Sequence, residues 1–418
     1  MSTDRRSFLA TSTALALSAP FGVRAQSAAR IVIVGAGYGG ASAARTLKTL
    51  GHDVVLIEAS DAFVSCPFSN TVLGGFGEMA DITFSYDRLA AAGIDVIHAR
   101  AADVDAQAQQ VILTDGTKIS YDRLLLSPGV DMNFDALAGY DAAAAEIMPH
   151  AWKAGPQTAL LRARIEAMED GGTVAISVPA NPFRCPPGPY ERASLIAYYL
   201  STAKPRSKVL ILDAKDQFSK RNLFEEAWAA LYPGMIEWVP QSSAGTVTSV
   251  EPQSMTLVTD FARHKVAVAN VIPPQRAGAI AVAAGVADET GWCPVSPSSF
   301  ESTLVPGIHV IGDACFVGAM PKSAFSANAQ AKVAAYAIDA ILRGDSPMEP
   351  RLINTCFSLA APDYGFTVAG VYRPVDGRLA DIDDAGGTSP LGAAPEIRAQ
   401  EADYARAWFA TITAEAFG

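Results

Sequence analysis

The chain has 418 residues, enough for two or three domains and a large core. Half are apolar and 18% charged, the balance of a compact globular protein rather than a disordered or fibrous one. The net charge of −11 argues against a nucleic-acid surface and suits a soluble protein, or one that meets a basic partner such as a small electron carrier.

The N-terminus sets Arg5-Arg6 before Ser-Phe-Leu, then an apolar run of moderate hydrophobicity, then Val23-Arg24-Ala25. That order reads as a twin-arginine export signal over residues 1–25, cleaved after about Ala25. The run Leu9–Ala19 is too short to span a bilayer and no later segment is long enough, so no membrane span is expected and the mature chain is expected in the periplasm. Twin-arginine export carries folded proteins, which fits a cofactor loaded before export.

Ile31–Val34 is a fully apolar strand, followed by Gly35-Ala36-Gly37-Tyr38-Gly39-Gly40, a helix over Ala41–Leu50 and a second strand over Val54–Ile57. Gly35 permits a tight turn, Gly37 lets the backbone approach a pyrophosphate, and Gly40 lets helix and strand pack closely. The helix N-terminus stabilises phosphate charge. Glu58 ends the second strand at roughly the 20-residue spacing from which an acid accepts the ribose hydroxyls. Shortly after it comes Cys66, in DAFVSCPFSNTVLGG, with no second cysteine nearby. Disulfide reductases of related type hold a Cys-x₄-Cys pair along the flavin here, so Cys66 alone is either a thiol touching a flavin or a thioether attached to it. Tyr121–Val130, with Gly129, resembles the crossover that leaves the FAD domain in two-dinucleotide-domain flavoproteins.

Thr173–Val178 begins like a second nucleotide-binding strand but runs into Pro179-Ala180-Asn181-Pro182-Phe183-Arg184-Cys185-Pro186-Pro187-Gly188-Pro189. Prolines fix φ and lack the N–H donors a pyrophosphate needs, so NAD binding is not expected there. The stiffened loop presents Cys185, either as a structural thiol or as a reactive one. Thr303–Phe316 ends a strand in Gly312-Asp313, resembling the element that binds the ribityl and phosphate part of a flavin. A helix then starts near Lys322-Ser323 and runs to about Leu342; its N-terminus could stabilise a reduced flavin ring. Lys322 is either a charge at the flavin edge or a solvated helix residue. FAD is the better reading than NAD.

The expected architecture is α/β, a two-dinucleotide-binding-domain flavoprotein (glutathione-reductase-like) with a C-terminal α+β interface region. The FAD-binding domain takes residues 27–135 and 272–346. The NAD-domain-like middle, without a nucleotide fingerprint, takes 136–271, and a flavin-covering region takes 347–418. Within the last, Arg351–Ala361 lies near the flavin, Tyr364–Pro374 is a strand, Asp376–Pro395 an acidic, glycine-rich loop, and the end an amphipathic helix whose Tyr404, Trp408 and Phe409 pack on the body. Of the five cysteines, Cys293 and Cys315 read as buried thiols or as a second disulfide, and the odd total leaves at least one free, modified or paired between chains. No cluster has zinc spacing and no Cys-x-x-Cys-His occurs, so neither a metal site nor a haem of the chain's own is expected.

The stretches FVSCPFSNTVLGG, NPFRCPPGPYERAS, VIPPQRAG, GWCPV, HVIGDAC, MPKSAFSANAQAKVAA and INTCFS resemble the flavoprotein subunit of flavocytochrome c sulfide dehydrogenase. They equally resemble its sibling in the thiosulfate-oxidation system. The likeness runs from about Arg30 to Gly418. It implies FAD joined to Cys66 by a thioether, a redox-active disulfide of Cys185 and Cys356 beside the flavin, and an acid near that disulfide at Glu191. Pro67-Phe68 directly after Cys66 departs from the expected pattern. By residue type alone Glu191 is either a proton-handling group or an acid favoured in a first helical turn. The implied reaction opens the disulfide with hydrosulfide, giving a persulfide and a thiolate that donates to the flavin. A second nucleophile then releases polysulfide or sulfur, and electrons leave singly for a c-type cytochrome on another chain. The competing readings are an accessory flavoprotein that reactivates a sulfur carrier by thiol exchange, and an NAD(P)H-dependent flavin oxidoreductase.

Overall fold

The computed structural model describes residues 28–418; the export signal expected over 1–25 lies outside the described residues. A five-stranded parallel sheet runs in the order Ile308–Val310, Arg123–Leu126, Arg30–Val34, Asp53–Glu58, Asp95–His98. Its strands are near-continuous apolar runs because both faces of a parallel sheet are covered; Ile31–Val34 and Val54–Ile57 are buried throughout. Two helices, Tyr38–Thr49 and Ala324–Arg343, pack against each other. Their facing residues are small, including Ala41, Ala44, Ala327 and Ala331, and Asn328 Nδ2 donates to Ser42 Oγ at 2.8 Å across the contact.

A second parallel sheet runs Ile236–Val239, Lys208–Asp213, Thr173–Val178, Val268–Val271. The antiparallel pair Val130–Met132 and Gln275–Ala277 ties the outgoing and returning chain together. The C-terminal region is an antiparallel sheet of Leu352–Ala361, Tyr364–Val375 and Arg378–Asp381, with Gly387–Thr388 on its side, followed by the helix Pro395–Phe417. The stretch 376–395 is therefore not wholly loop. Asp376 and Gly377 both take positive φ, 49° and 75°, and turn the chain into a hairpin.

The last helix lies over the body through aromatic rings. Phe409 stacks on Phe68 with centroids 4.5 Å apart, Phe417 on Phe63 at 4.8 Å, and Trp408 on Phe357 at 5.6 Å. Tyr404, expected to pack likewise, is 52% exposed because it falls on the outer face. No helix among the described residues is long and apolar enough to cross a membrane.

Candidate active site

A cavity of about 630 Å³ is lined by Gly35, Gly37 and Glu58 at the edge of the first sheet, by Ser127–Gly129, and by Cys66, Cys185 and Cys356. Its nucleotide part is built by backbone constraint. Gly35 has φ +95°, and a Cβ there would lie 2.3 Å from Ser127 O; a Cβ on Gly40 would lie 1.8 Å from Gly35 O. Gly37 is different: its Cβ position meets only the Phe63 ring, at 3.6 Å, so the space over it is open for a ligand. Glu58 is fixed by the N–H groups of Ala36 (2.9 Å) and Ser60 (3.0 Å).

Asp313 follows the strand Ile308–Val310. Its Oδ2 lies 3.6 Å from Arg184 Nη1, while Oδ1 is buried without a partner. Burial pushes the carboxyl up, with Arg184 and Lys322 opposing. Ser323 caps the helix Ala324–Arg343: its Oγ accepts from Ser326 N at 3.0 Å and donates to Asn354 Oδ1 at 2.6 Å. Trp152 Nε1 is a second buried, unpartnered group on the cavity wall. An orphaned acceptor, an orphaned donor and an open glycine face fit a dinucleotide: diphosphate at the N-terminus of the helix Tyr38–Thr49, ribose hydroxyls on Glu58, ribityl hydroxyls on Asp313. Gly129, with φ +64° and nothing near its Cβ position, also lines the cavity.

Lys322 departs from both roles considered for it. Its ammonium donates to Asp313 O (2.8 Å) and Cys315 O (2.6 Å) and sits 3.8 Å from the Trp292 ring centroid, off the cavity wall and half-buried. Two carbonyls and an aromatic face satisfy this half-buried cation. Its contribution is through the backbone: the Lys322 carbonyl accepts from Cys185 N at 2.9 Å.

That bond fixes the proline loop. Cys185 has φ 58°, a left-handed conformation that non-glycine residues rarely adopt. Pro186 and Pro187 follow, and the helix Gly188–Ala203 begins at once. A Cβ on Gly188 would lie 2.8 Å from the Trp152 ring and 3.0 Å from Cys185 Sγ, so only glycine lets both approach the helix start. Arg184 holds the loop from the other side, donating to Trp152 O and, through its backbone N, to Gln275 Oε1 at 3.0 Å.

Cys356 comes from the C-terminal strand Leu352–Ala361. Its Sγ accepts from Asn354 Nδ2 at 3.3 Å, and Lys220 Nζ donates to its carbonyl at 2.8 Å. Glu191, in the first turn of the helix Gly188–Ala203, reaches the same strand. Its Oε1 accepts from Leu359 N and its Oε2 from Asn70 Nδ2, both at 2.9 Å. Burial raises the Glu191 carboxyl, partly offset by those hydrogen bonds and by Lys220 and Arg192. Burial also pushes the Cys185 thiol well up, with Glu191 and Cys356 adding and Arg184 and Lys220 opposing. Cys66 Sγ lies 3.7 Å from Trp152 O. Cys185, Cys356, Glu191 and Cys66, remote in sequence, thus share one cavity, and all five cysteines are free thiols. Cys293 and Cys315 stand apart, paired with each other on adjacent strands; burial pushes each to about 12.

Lys220 and Trp152 carried no signal in the sequence, and Arg192 and Asn354, inside stretches that carry the resemblance, were given no role there. Arg192 is fully buried beneath the site, donating to Asn70 Oδ1, Asn270 Oδ1 and the carbonyls of His150 and Ala151. Desolvation lowers it to about 10. Its partners come from three separate segments, which no spacing rule connects.

The middle sheet's own nucleotide seat is filled. Asp213 ends the strand Lys208–Asp213, the place that Glu58 holds in the first sheet. It accepts from Tyr190 Oη (2.5 Å), Trp238 Nε1 (2.9 Å) and Lys215 Nζ (2.6 Å), and Phe218 stacks on Tyr190 with centroids 3.6 Å apart. Asp213 is fully buried among these donors, so a ribose cannot reach it.

Fold and site together define an FAD-dependent oxidoreductase of the two-domain pyridine-nucleotide-disulfide type. Residues 29–151 match the pyridine nucleotide-disulphide oxidoreductase family. Residues 158–273 match the central region of the sulfide dehydrogenase [flavocytochrome c] flavoprotein chain, and 348–417 the flavin-binding region of flavocytochrome c sulphide dehydrogenase. The chain is 53% identical over 45 residues to the sulfide dehydrogenase [flavocytochrome c] flavoprotein chain of Chlorobaculum thiosulfatiphilum, 10% of this chain and 94% of that sequence. It is 33% identical over 107 residues to Ferroptosis suppressor protein 1 of Taeniopygia guttata, 25% of this chain and only 28% of that protein. The crystal structure of sulfide:quinone oxidoreductase from Aquifex aeolicus superposes with a TM-score of 0.68 at 17% identity, covering 93% of this chain and 92% of that one. The chain belongs to the family of the flavocytochrome c sulfide dehydrogenase flavoprotein chain.

Proposed function

We propose that the protein oxidises sulfide to polysulfide or sulfur through a disulfide of Cys185 and Cys356, with FAD held at Cys66 and electrons delivered to a c-type cytochrome. The observation that carries this reading is the convergence of Cys185, Cys356 and Cys66, from three regions of the chain, on the cavity that also holds the dinucleotide seat. FAD, when bound, supplies a two-electron acceptor that can release electrons singly.

The remaining work falls to the chain. The Cys185 loop, pinned by Lys322 O and Arg184, presents one sulfur rigidly to hydrosulfide. The strand carrying Cys356 brings the second. The Glu191 carboxyl, raised by burial, holds a proton beside the sulfurs, available when the sulfur product is released. Trp408 and the last helix exclude water. Export by the twin-arginine route and a periplasmic cytochrome partner complete the reading.

The filled seat at Asp213 disfavours NAD(P)H as donor. Anaerobic titration of the holoprotein tests the function: sulfide bleaches the flavin, NADH does not, and a c-type cytochrome restores the colour. Failure of sulfide to bleach, with bleaching by a reduced sulfur-carrier protein instead, would favour the thiol-exchange reading.

A further inference from the structure

Lys220 immediately precedes the helix Arg221–Leu231 and is 9% exposed. Its ammonium donates to Cys356 O at 2.8 Å and to Ser358 Oγ at 2.7 Å. Cys356 and Ser358 are two apart on one strand, so their side chains leave on the same face. The ammonium, bound to Ser358 Oγ, therefore stands on the face from which the Cys356 sulfur projects. Among the described residues it forms no ion pair. A buried ammonium without a counter-ion is costly unless an anion arises beside it. Burial accordingly lowers Lys220, with Cys356, Glu191 and Cys185 as the opposing groups. Asn354 Nδ2 donates to Cys356 Sγ itself, at 3.3 Å. Cys185 is placed otherwise: burial disfavours a thiolate there, and its sulfur crowds Gly188 together with the Trp152 ring.

We propose that Lys220, assisted by Asn354, makes Cys356 the leaving thiolate and so directs hydrosulfide to the sulfur of Cys185. This rests on the disulfide reading above. In the step, hydrosulfide attacks Cys185 Sγ and a new S–S bond forms there. The Cys185–Cys356 bond breaks, and its electron pair leaves as the Cys356 thiolate against the ammonium. The proton of hydrosulfide stays on the outer sulfur, giving a persulfide on Cys185. No further oxidant or reductant enters.

The experiment treats anaerobic holoprotein with one equivalent of sulfide, traps with a thiol alkylator and maps the extra sulfur by mass spectrometry. Wild type is expected to carry it on Cys185, with Cys356 singly alkylated. Lys220→Gln keeps a donor toward the two oxygens without the charge, and Lys220→Met removes both; each is expected to slow disulfide opening at least 10-fold and to spread the extra sulfur to Cys356. Lys220→Arg retains the wild-type pattern. Flavin content and unfolding temperature report whether each variant folds. Extra sulfur on Cys356 in wild type overturns the proposal whatever the variants do, as does an unchanged rate and position in folded Lys220→Gln. Absence of extra sulfur from both cysteines in wild type overturns the functional reading, and this proposal with it.

Discussion

The backbone N–H of Cys185 donates to the carbonyl of Lys322 over 2.9 Å, joining the loop of the second parallel sheet to the residue before the capped helix of the first. With the Arg184 contacts, that hydrogen bond sets where a sulfur of one domain stands against the cavity of the other. The bond is a backbone one, so Cys185→Ser keeps it. That variant is expected to hold its flavin with a near-native spectrum and to lose sulfide-driven bleaching. Stopped-flow absorbance checks both, and unchanged turnover would reject the disulfide mechanism.

The two fingerprint glycines answer different demands, and alanine separates them. At Gly40 the new methyl group would lie 1.8 Å from Gly35 O, so strand and helix must part. Gly40→Ala is expected to cost several kcal/mol and to express poorly, as for overpacking at a rigid backbone contact. At Gly37 the methyl meets only a ring at 3.6 Å, so Gly37→Ala is expected to fold with little change in unfolding temperature but to reject flavin. Unfolding temperature and flavin-to-protein absorbance ratio, measured side by side, give the comparison.

These glycines were legible in the sequence because everything that fixes them is local: an apolar strand, a turn, a helix start and an acid in register. The Cys185 loop was legible for the same reason, since prolines restrict the backbone wherever they stand. Its neighbours were not. Lys220 reaches Cys356 O and Arg184 reaches Asp313 only after the sheets have assembled, and no local pattern encodes contacts between segments so far apart. Lys322 shows the converse: the sequence placed it correctly at a helix start but could not say which way its side chain turns. The hairpin at Asp376-Gly377 had a readable signal, Asp-Gly between apolar stretches, outweighed by the acidic and glycine-rich composition around it.

Arg184 and Asp313 form a mostly buried pair across the same boundary. Removing one partner strands the other, at about 3 kcal/mol or more. Arg184→Met is expected to destabilise the holoprotein strongly, and adding Asp313→Asn is expected to recover part of that loss. A double-mutant cycle from denaturant unfolding measures the coupling; additive effects would show that the pair contributes nothing jointly.

Cys66 lies on the cavity wall, with its sulfur 3.7 Å from Trp152 O. Cys66→Ser leaves that shape nearly intact and removes the sulfur of the proposed thioether. Acid precipitation of wild type is expected to leave yellow flavin in the pellet, and that of Cys66→Ser to release it to the supernatant. Colourless wild-type pellets would rule out the covalent bond while leaving the noncovalent seat untouched.

Glu191 gives the last expectation, in stability against pH. Burial raises its carboxyl above the ordinary 4.5, so the folded protein holds the proton more tightly than the unfolded chain does. The stability contributed by this group is then fully present below about pH 4.5 and declines as pH rises toward the folded value. Glu191→Gln cannot titrate. It gives up one acceptor toward Asn70 Nδ2 or Leu359 N, a pH-independent loss of about 1 kcal/mol. Unfolding free energies of the two proteins should therefore converge as pH rises from 4.5, the wild type losing more. A constant difference across that range would show that the carboxyl is not raised, and with it would go the role of Glu191 as the proton holder beside the sulfurs.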